Sequence, residues 1–269
     1  MDDLNLHALN VRRNIVKMVH SAASGHPGGS LGAADIITYL YFKEMDINKD
    51  NVKGIDRDRF VLSKGHCSPA LYAVLAEKGL LDADLMSFRQ LGSPLQGHPN
   101  MNYVDGVDMS TGSLGQGISA AVGMALANKL DNNNHRVYVL CGDGESEEGI
   151  VWEALMAASH YKLDNMCVFF DLNHLQIDGN VEDVIGPLPL DEKAKAFGCH
   201  VITIDGNNFE EIGKALDEAR ATKGVPTVVI ANTIKGKGVS YMENNAGWHG
   251  KAPNDEEFAI AMEELKEAN

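Results

Sequence analysis

Along residues 4–24 the apolar positions Leu6, Leu9, Ile15, Val16 and Val19 fall on one stripe, which predicts a helix. The stripe stops at Gly25-His26-Pro27-Gly28-Gly29, where Pro and Gly break a helix. A second helix is predicted over Ala33–Lys43, a short strand at Phe60–Leu62 and a helix over Ala70–Glu77. Residues 90–113 are loop-rich, and an Ala/Gly-rich helix follows from Leu114 to Lys129. The most regular part comes next. Short apolar runs at Val137–Leu140, Met166–Phe170, Val201–Ile204 and Val228–Ala231 alternate with helical patterns at Ile150–His160 and Phe209–Ala221. A surface-type helix closes the chain over Asp255–Glu267. Strands that are apolar on both sides and alternate with helices predict a parallel sheet covered on both faces. The expected class is α/β, a doubly wound, mostly parallel sheet with helices on both faces. With no repeat, low-complexity tract or linker, residues 1–269 are read as a single domain.

Composition narrows the ligand more than the fold. The 27 glycines suit tight strand–helix turns, where α/β enzymes bind ligands. The formal charge is −15, from 23 basic and 38 acidic residues. That balance argues against nucleic acid and anionic membrane as partners, since both need a basic face. An anionic ligand would therefore need local help from a metal, helix N-termini and a few Lys and His side chains. Cys67, Cys141, Cys167 and Cys199 are widely spaced and read as reduced thiols. The start MDDLNLHALN has no signal-peptide pattern, and no run approaches the roughly 18 apolar residues of a membrane span. The expectation is a cytoplasmic protein.

The sharpest chemical signal is Gly142-Asp143-Gly144, followed after 28 residues by Asn173. The Asp sits just past one predicted strand and the Asn just past the next. Both fall at the carboxyl edge of a parallel sheet, where ligands bind. Their oxygens suit a hard cation such as Mg²⁺ or Ca²⁺, which would neutralise a diphosphate. No Gly-x-Gly-x-x-Gly, Walker-type lysine loop or Cys/His metal cluster is present, so nicotinamide and ATP binding lack support. Four histidines, His26, His66, His98 and His249, stand beside Gly or Pro. Histidine suits proton movement near neutral pH. His7, His20, His135, His160, His174 and His200 are read as structural.

Around this signal stand Ser24-Gly25-His26-Pro27-Gly28, Asp58-Arg59-Phe60-Val61-Leu62-Ser63-Lys64-Gly65-His66 and Gln96-Gly97-His98-Pro99. Ser110-Thr111-Gly112-Ser113-Leu114-Gly115-Gln116-Gly117 and Lys235-Gly236-Lys237-Gly238, leading to Trp248-His249-Gly250, complete the series. In order and spacing, from about residue 4 to 260, these resemble the transketolases, a thiamine diphosphate family. The resemblance implies thiamine diphosphate and a divalent metal, Mg²⁺ or Ca²⁺, held by Asp143, Asn173 and the carbonyl of Leu175. It places Lys64, His66, Gly144 and Lys235 at the diphosphate and Gly112-Ser113-Leu114 along the aminopyrimidine. His26 and His249 would face the donor-sugar hydroxyl that loses its proton, and His98 the hydroxyl at the first carbon. Glu148 and Glu153 would lie at a dimer interface linking two active sites; acids in a first helical turn are also ordinary dipole partners.

In transketolases the glutamate that activates the cofactor, its aromatic stack and most of the sugar-phosphate grip belong to a second domain. The resemblance therefore implies an N-terminal subunit of a split transketolase, completed by a separate C-terminal subunit, in an α2β2 heterotetramer. Its substrates would be sugar phosphates in carbohydrate metabolism of the pentose phosphate kind. The alternatives are the α-like subunit of a 2-oxo acid dehydrogenase, which would not need His26, His98 and His249, or a non-catalytic paralogue.

Overall fold

The computed structural model describes residues 3–266. Helix α1 (Leu4–Ser21) is capped by Asp3, whose carboxylate accepts the Asn5 amide at 3.0 Å. It ends before the predicted residue 24 because Ala23 takes a left-handed conformation. The next segment departs from expectation. Pro27–Gly32 forms a short helix, α2, where a break is predicted. Proline is harmless in a first turn, where its missing N–H has no partner to lose. The glycines answer to space: a Cβ on Gly28 would lie 2.9 Å from the Trp248 carbonyl oxygen, and one on Gly29 2.9 Å from Cys67 Sγ. Helix α3 (Ala34–Tyr39) and a π-helical turn (Leu40–Glu44) fill the predicted Ala33–Lys43.

Strand β1 (Arg59–Leu62) leads to α4 (Ser68–Glu77), and α5 (Gln116–Leu130) to β2 (Val137–Gly142). Helix α6 (Gly149–His160) connects to β3 (Met166–Leu172). A hairpin of two-residue strands, β4 (Leu175–Gln176) and β5 (Gly179–Asn180), then precedes α7 (Val181–Val184) and α8 (Leu190–Ala196). These four elements are absent from the pattern reading, since so few residues establish no period. Strand β6 (His200–Asp205), helix α9 (Phe209–Ala221), strand β7 (Thr227–Asn232) and helix α10 (Asp255–Glu264) complete the chain. Asn254 and Glu257 form a reciprocal cap on α10. The predicted end of that helix at Glu267 lies outside the described residues.

The five long strands form one parallel sheet in the order β1-β2-β3-β7-β6. Alternate residues feed two cores. On one face Tyr138, Leu140, Phe169 and Val229 pack with α1, α3, α4 and α9. On the other, Val139, Val168, Phe170 and Val228 meet α5, α6 and α8. This double burial is why the strands read as unbroken apolar runs. It leaves the carboxyl edge as the place where loops converge. The loops after β1, β2, β3 and β7 carry Lys64, Asp143, Asn173 and Lys235.

Candidate active site

Those four loops enclose a cavity of about 330 Å³, lined by Lys64, His66, Asp143, Asn173, Lys235 and His249 among others. Asp143 is buried at its floor. One carboxylate oxygen accepts the Gly144 amide at 2.8 Å; the other accepts the amides of Asn173 at 3.0 Å and His174 at 2.7 Å. His174 reaches this position with φ 62, a left-handed conformation uncommon for a side chain of its size. Burial, then the neighbouring Asp171 charge, pushes the Asp143 carboxyl above its ordinary value, against the pull of Gly144 N–H and the two lysines. The Lys235 ammonium donates to the Leu175 carbonyl at 2.8 Å and approaches His249 Nδ1 at 3.1 Å. Burial, then Lys64, pulls Lys235 down to about 8.

Two buried acids that sequence reasoning passed over organise this floor. Asp171, in β3, is fully enclosed and forms an ion pair with Lys64. Lys64 thus lines the cavity with its ammonium already engaged. Glu145 accepts the Ser63 hydroxyl at 2.6 Å, the Gly115 amide at 2.8 Å and the Gly142 amide at 3.0 Å. One carboxylate therefore ties together the ends of β1 and β2 and the loop that enters α5. Gly65 completes the closure: a Cβ there would lie 2.7 Å from the Gly112 amide nitrogen. Glu145→Ala would leave three donors without partners, each worth about 1–3 kcal/mol when buried. Loss of at least ~3 kcal/mol in urea unfolding is expected; a loss within experimental error would mean that water replaces the carboxylate.

The structure brings the four singled-out histidines together. Ring centroids of His26 lie 5.4 Å from those of both His66 and His249, and 6.3 Å from His98. His66 and His249 stack at 5.1 Å. Burial, then the Arg89 charge, lowers His26 to about 4; burial, then Lys235, lowers His249 to about 3. Burial, then Lys64, also lowers His66, and burial, then Arg89, lowers His98. His26 and His249 are therefore neutral at pH 7. An unfolded chain protonates each near 6.5, so it takes up more protons than the folded chain below that pH. Their contribution to stability is present above about pH 6.5 and is lost as pH falls toward 4. A His26→Gln chain should lose less stability than the native chain between pH 6.5 and 4, measured as urea midpoint against pH. Parallel profiles would contradict the assignment.

Arg89, which the sequence reading left unremarked in its loop-rich stretch, bonds Ser24 Oγ at 2.8 Å. With His98 it lines an outer, open cavity of about 950 Å³ beside the histidines. Of the other predicted positions, Gly144 and Leu114 line the inner cavity. Gly112 backs onto His98, with φ 141 and space for a Cβ only 3.0 Å from the ring. Ser113 is exposed, Glu148 stands at the cavity's exposed rim, and Glu153 lies exposed on α6, away from the lining. His20, His135 and His200 pair with exposed acids, His7 with the part-buried Glu77, and His174 with Glu182.

A family model described as transketolase, thiamine diphosphate binding domain, matches residues 5–266. The chain belongs to the transketolase family. Within it, the chain is 43% identical over 265 residues to a 6-deoxy-6-sulfo-D-fructose transketolase subunit of Clostridium sp. (strain MSTE9), covering 98% of this chain and 96% of that one. It is 41% identical over 268 residues to an apulose-4-phosphate transketolase subunit of Phocaeicola vulgatus, covering 99% and 95%. Against human transketolase it is 43% identical over 254 residues, 91% of this chain but 39% of that protein. The Leishmania mexicana transketolase structure superposes with a TM-score of 0.91 at 36% identity, covering 98% of this chain and 41% of that one. The chain thus spans about two fifths of the long transketolases and nearly the whole of two relatives named as subunits. The fold class expected from sequence is the transketolase fold observed.

The donor set fits the family's cofactor. Asp143, Asn173 and the Leu175 carbonyl offer oxygens only, as a hard cation prefers, while Lys64 and Lys235 offer positive charge to a diphosphate. Among the described residues no cluster of three or more His, Cys, Asp or Glu side chains could hold a metal. Among the described residues, too, no helix is long and apolar enough to cross a membrane.

Proposed function

We propose that this chain is the diphosphate-binding subunit of a two-chain transketolase, moving a two-carbon ketol unit from a ketose to an aldose phosphate. The observation that carries the reading is the convergence of His26 and His98 on His66 and His249, which line the cavity that Asp143 and Asn173 floor. A dehydrogenase of 2-oxo acids would have no need of that histidine group. Thiamine diphosphate, when bound with Mg²⁺, supplies the nucleophile and electron sink for cleavage next to a carbonyl. Asp143, Asn173 and the Leu175 carbonyl would hold the cation, Lys64, His66, Gly144 and Lys235 the diphosphate, and the Gly112–Leu114 backbone the ring. Glu148 and Glu153 would face the second active site across an α2β2 interface.

The histidines divide the proton work. His249 Nδ1 receives the Lys235 ammonium, so its proton sits on Nε2 and it donates to the sugar. His26, neutral and without a cation on its ring, keeps a lone pair for the proton released as C2–C3 breaks. His98 holds the hydroxyl at the first carbon. Arg89, at the outer cavity, suits an anionic far end on the sugar. The relatives named for sulfofructose and apulose 4-phosphate support donors beyond the pentose phosphates. The formal charge of −15 argues against nucleic acid and anionic membrane as partners, and the four free, buried cysteines suit a reducing compartment such as the cytoplasm.

The donor half-reaction tests this. In a mixture with a transketolase C-terminal chain, thiamine diphosphate and Mg²⁺, His26→Ala should slow aldehyde release from the ketose by about 10²–10⁴-fold, the range for lost general-base catalysis. An unchanged rate would remove His26 from the reaction.

A further inference from the structure

The Lys235 ammonium and the expected cation claim the same acceptor. Lys235 is almost wholly buried and donates to the Leu175 carbonyl at 2.8 Å, with His249 Nδ1 at 3.1 Å. That carbonyl opens the β4–β5 hairpin and completes the oxygen set begun by Asp143 and Asn173. Lys64, the other buried cation on this floor, is committed to Asp171. Asp143 accepts three backbone amides, which leaves about one of a carboxylate's roughly four lone-pair sites for a cation. The buried cation on this floor without an acidic partner in its hydrogen bonds is therefore Lys235, at the end of a four-carbon stem. A divalent cation arriving at Asp143, Asn173 and Leu175 must take the carbonyl from Lys235 and stand beside its charge. A diphosphate arriving with the cation would give the ammonium a new, anionic partner.

We infer that Lys235 is a placeholder for the divalent cation: it holds the Leu175 carbonyl and so opposes cation binding, and, keeping His249 Nδ1 as a partner, it turns from the carbonyl to the diphosphate when that group enters. The inference rests on the proposed cation site. It makes binding ordered by linkage, because a cation alone meets a competitor that the diphosphate removes. It also gives Lys235 two effects of opposite sign, which a purely structural lysine would not have.

The test uses Mn²⁺ alone and inorganic pyrophosphate alone as probes on the full chain, with Mn²⁺ followed by its electron paramagnetic resonance signal. Lys235→Met frees the carbonyl and removes a like charge, so it should bind Mn²⁺ about tenfold or more tightly than the native chain, the effect of one charged hydrogen bond. The same variant should bind pyrophosphate about tenfold more weakly. Lys235→Arg keeps the charge and a donor and should stay near native in both. Far-ultraviolet circular dichroism and urea unfolding show that each variant is folded. Unchanged, weaker or undetectable Mn²⁺ binding by Lys235→Met overturns the inference, as does Lys235→Arg behaving like Lys235→Met. Unchanged pyrophosphate binding removes the transfer of Lys235 to the diphosphate. Asp143→Asn separates the two layers. If it abolishes Mn²⁺ binding while Lys235→Met leaves affinity unchanged, the cation site stands and only the competition falls. If Asp143→Asn binds Mn²⁺ like the native chain, the cation site itself is wrong.

Discussion

Lys64→Met is expected to destabilise the chain by about 3–5 kcal/mol, the cost of leaving a buried charge without its partner. Lys64 is 2% exposed and Asp171 fully enclosed, so neither can turn to water when the other is lost. Burial works against the Lys64 charge, yet the Asp171 carboxylate outweighs it and holds the ammonium above its ordinary value. Without Lys64, Asp171 keeps the Thr233 hydroxyl and a long contact of 3.4 Å from the Asn173 amide, neither of which carries charge. It would also face Asp143, already raised by burial and by Asp171 itself. Urea unfolding measures the effect. The double replacement Lys64→Met with Asp171→Leu should lie nearer the native chain than Lys64→Met alone, since a whole buried pair is replaced more easily than half of one. A cost below about 1 kcal/mol for Lys64→Met would place the pair among exposed ion pairs and contradict its burial.

The second large effect falls on cofactor retention. Asp143→Asn should weaken the joint binding of Mg²⁺ and thiamine diphosphate by the reconstituted pair at least ~100-fold, or about 2.7 kcal/mol. The substitution removes the only carboxylate in the proposed cation set, and hard cations follow ligand charge. It also disturbs the loop. The native carboxylate accepts amides on both oxygens, from Gly144 on one and from Asn173 and His174 on the other. An asparagine must turn its NH₂ toward one side, leaving at least one amide facing another donor. Each such orphan costs about 1–3 kcal/mol, so unfolding should be measured beside calorimetry. Full retention of cofactor in a folded Asp143→Asn pair would move the cation elsewhere.

Much of this was legible because the sheet is buried on both faces. Val137–Leu140, Met166–Phe170 and Val228–Ala231 are short apolar runs between turn residues, and each is the heart of an observed strand. Asp143 and Asn173 follow two of them directly, so their place at the carboxyl edge comes with the strand assignment. Asp171 and Glu145 were not legible for the complementary reason. An acid at the end of an apolar run, or in a turn of acids, reads as a solvated cap until its distant partners are known. Those partners, Lys64 and Ser63, lie 107 and 82 positions earlier in the chain. Helix α2 escaped because its glycines answer to close contacts with Trp248 and Cys67, which composition alone reads as a turn. Arg89 stood in a loop with no period to single it out.

The central claim is that this chain carries one half of a ketol-transfer site and a second chain the other. It is tested by assaying the chain alone, a transketolase C-terminal chain alone, and their mixture, each with Mg²⁺ and thiamine diphosphate. The donors would be xylulose 5-phosphate, 6-deoxy-6-sulfo-D-fructose and apulose 4-phosphate, with ribose 5-phosphate as acceptor. Two-carbon transfer from at least one donor in the mixture, and from none with either chain alone, is the predicted result. Transfer by this chain alone, or no transfer from any donor in a mixture shown to retain the cofactor, would contradict it.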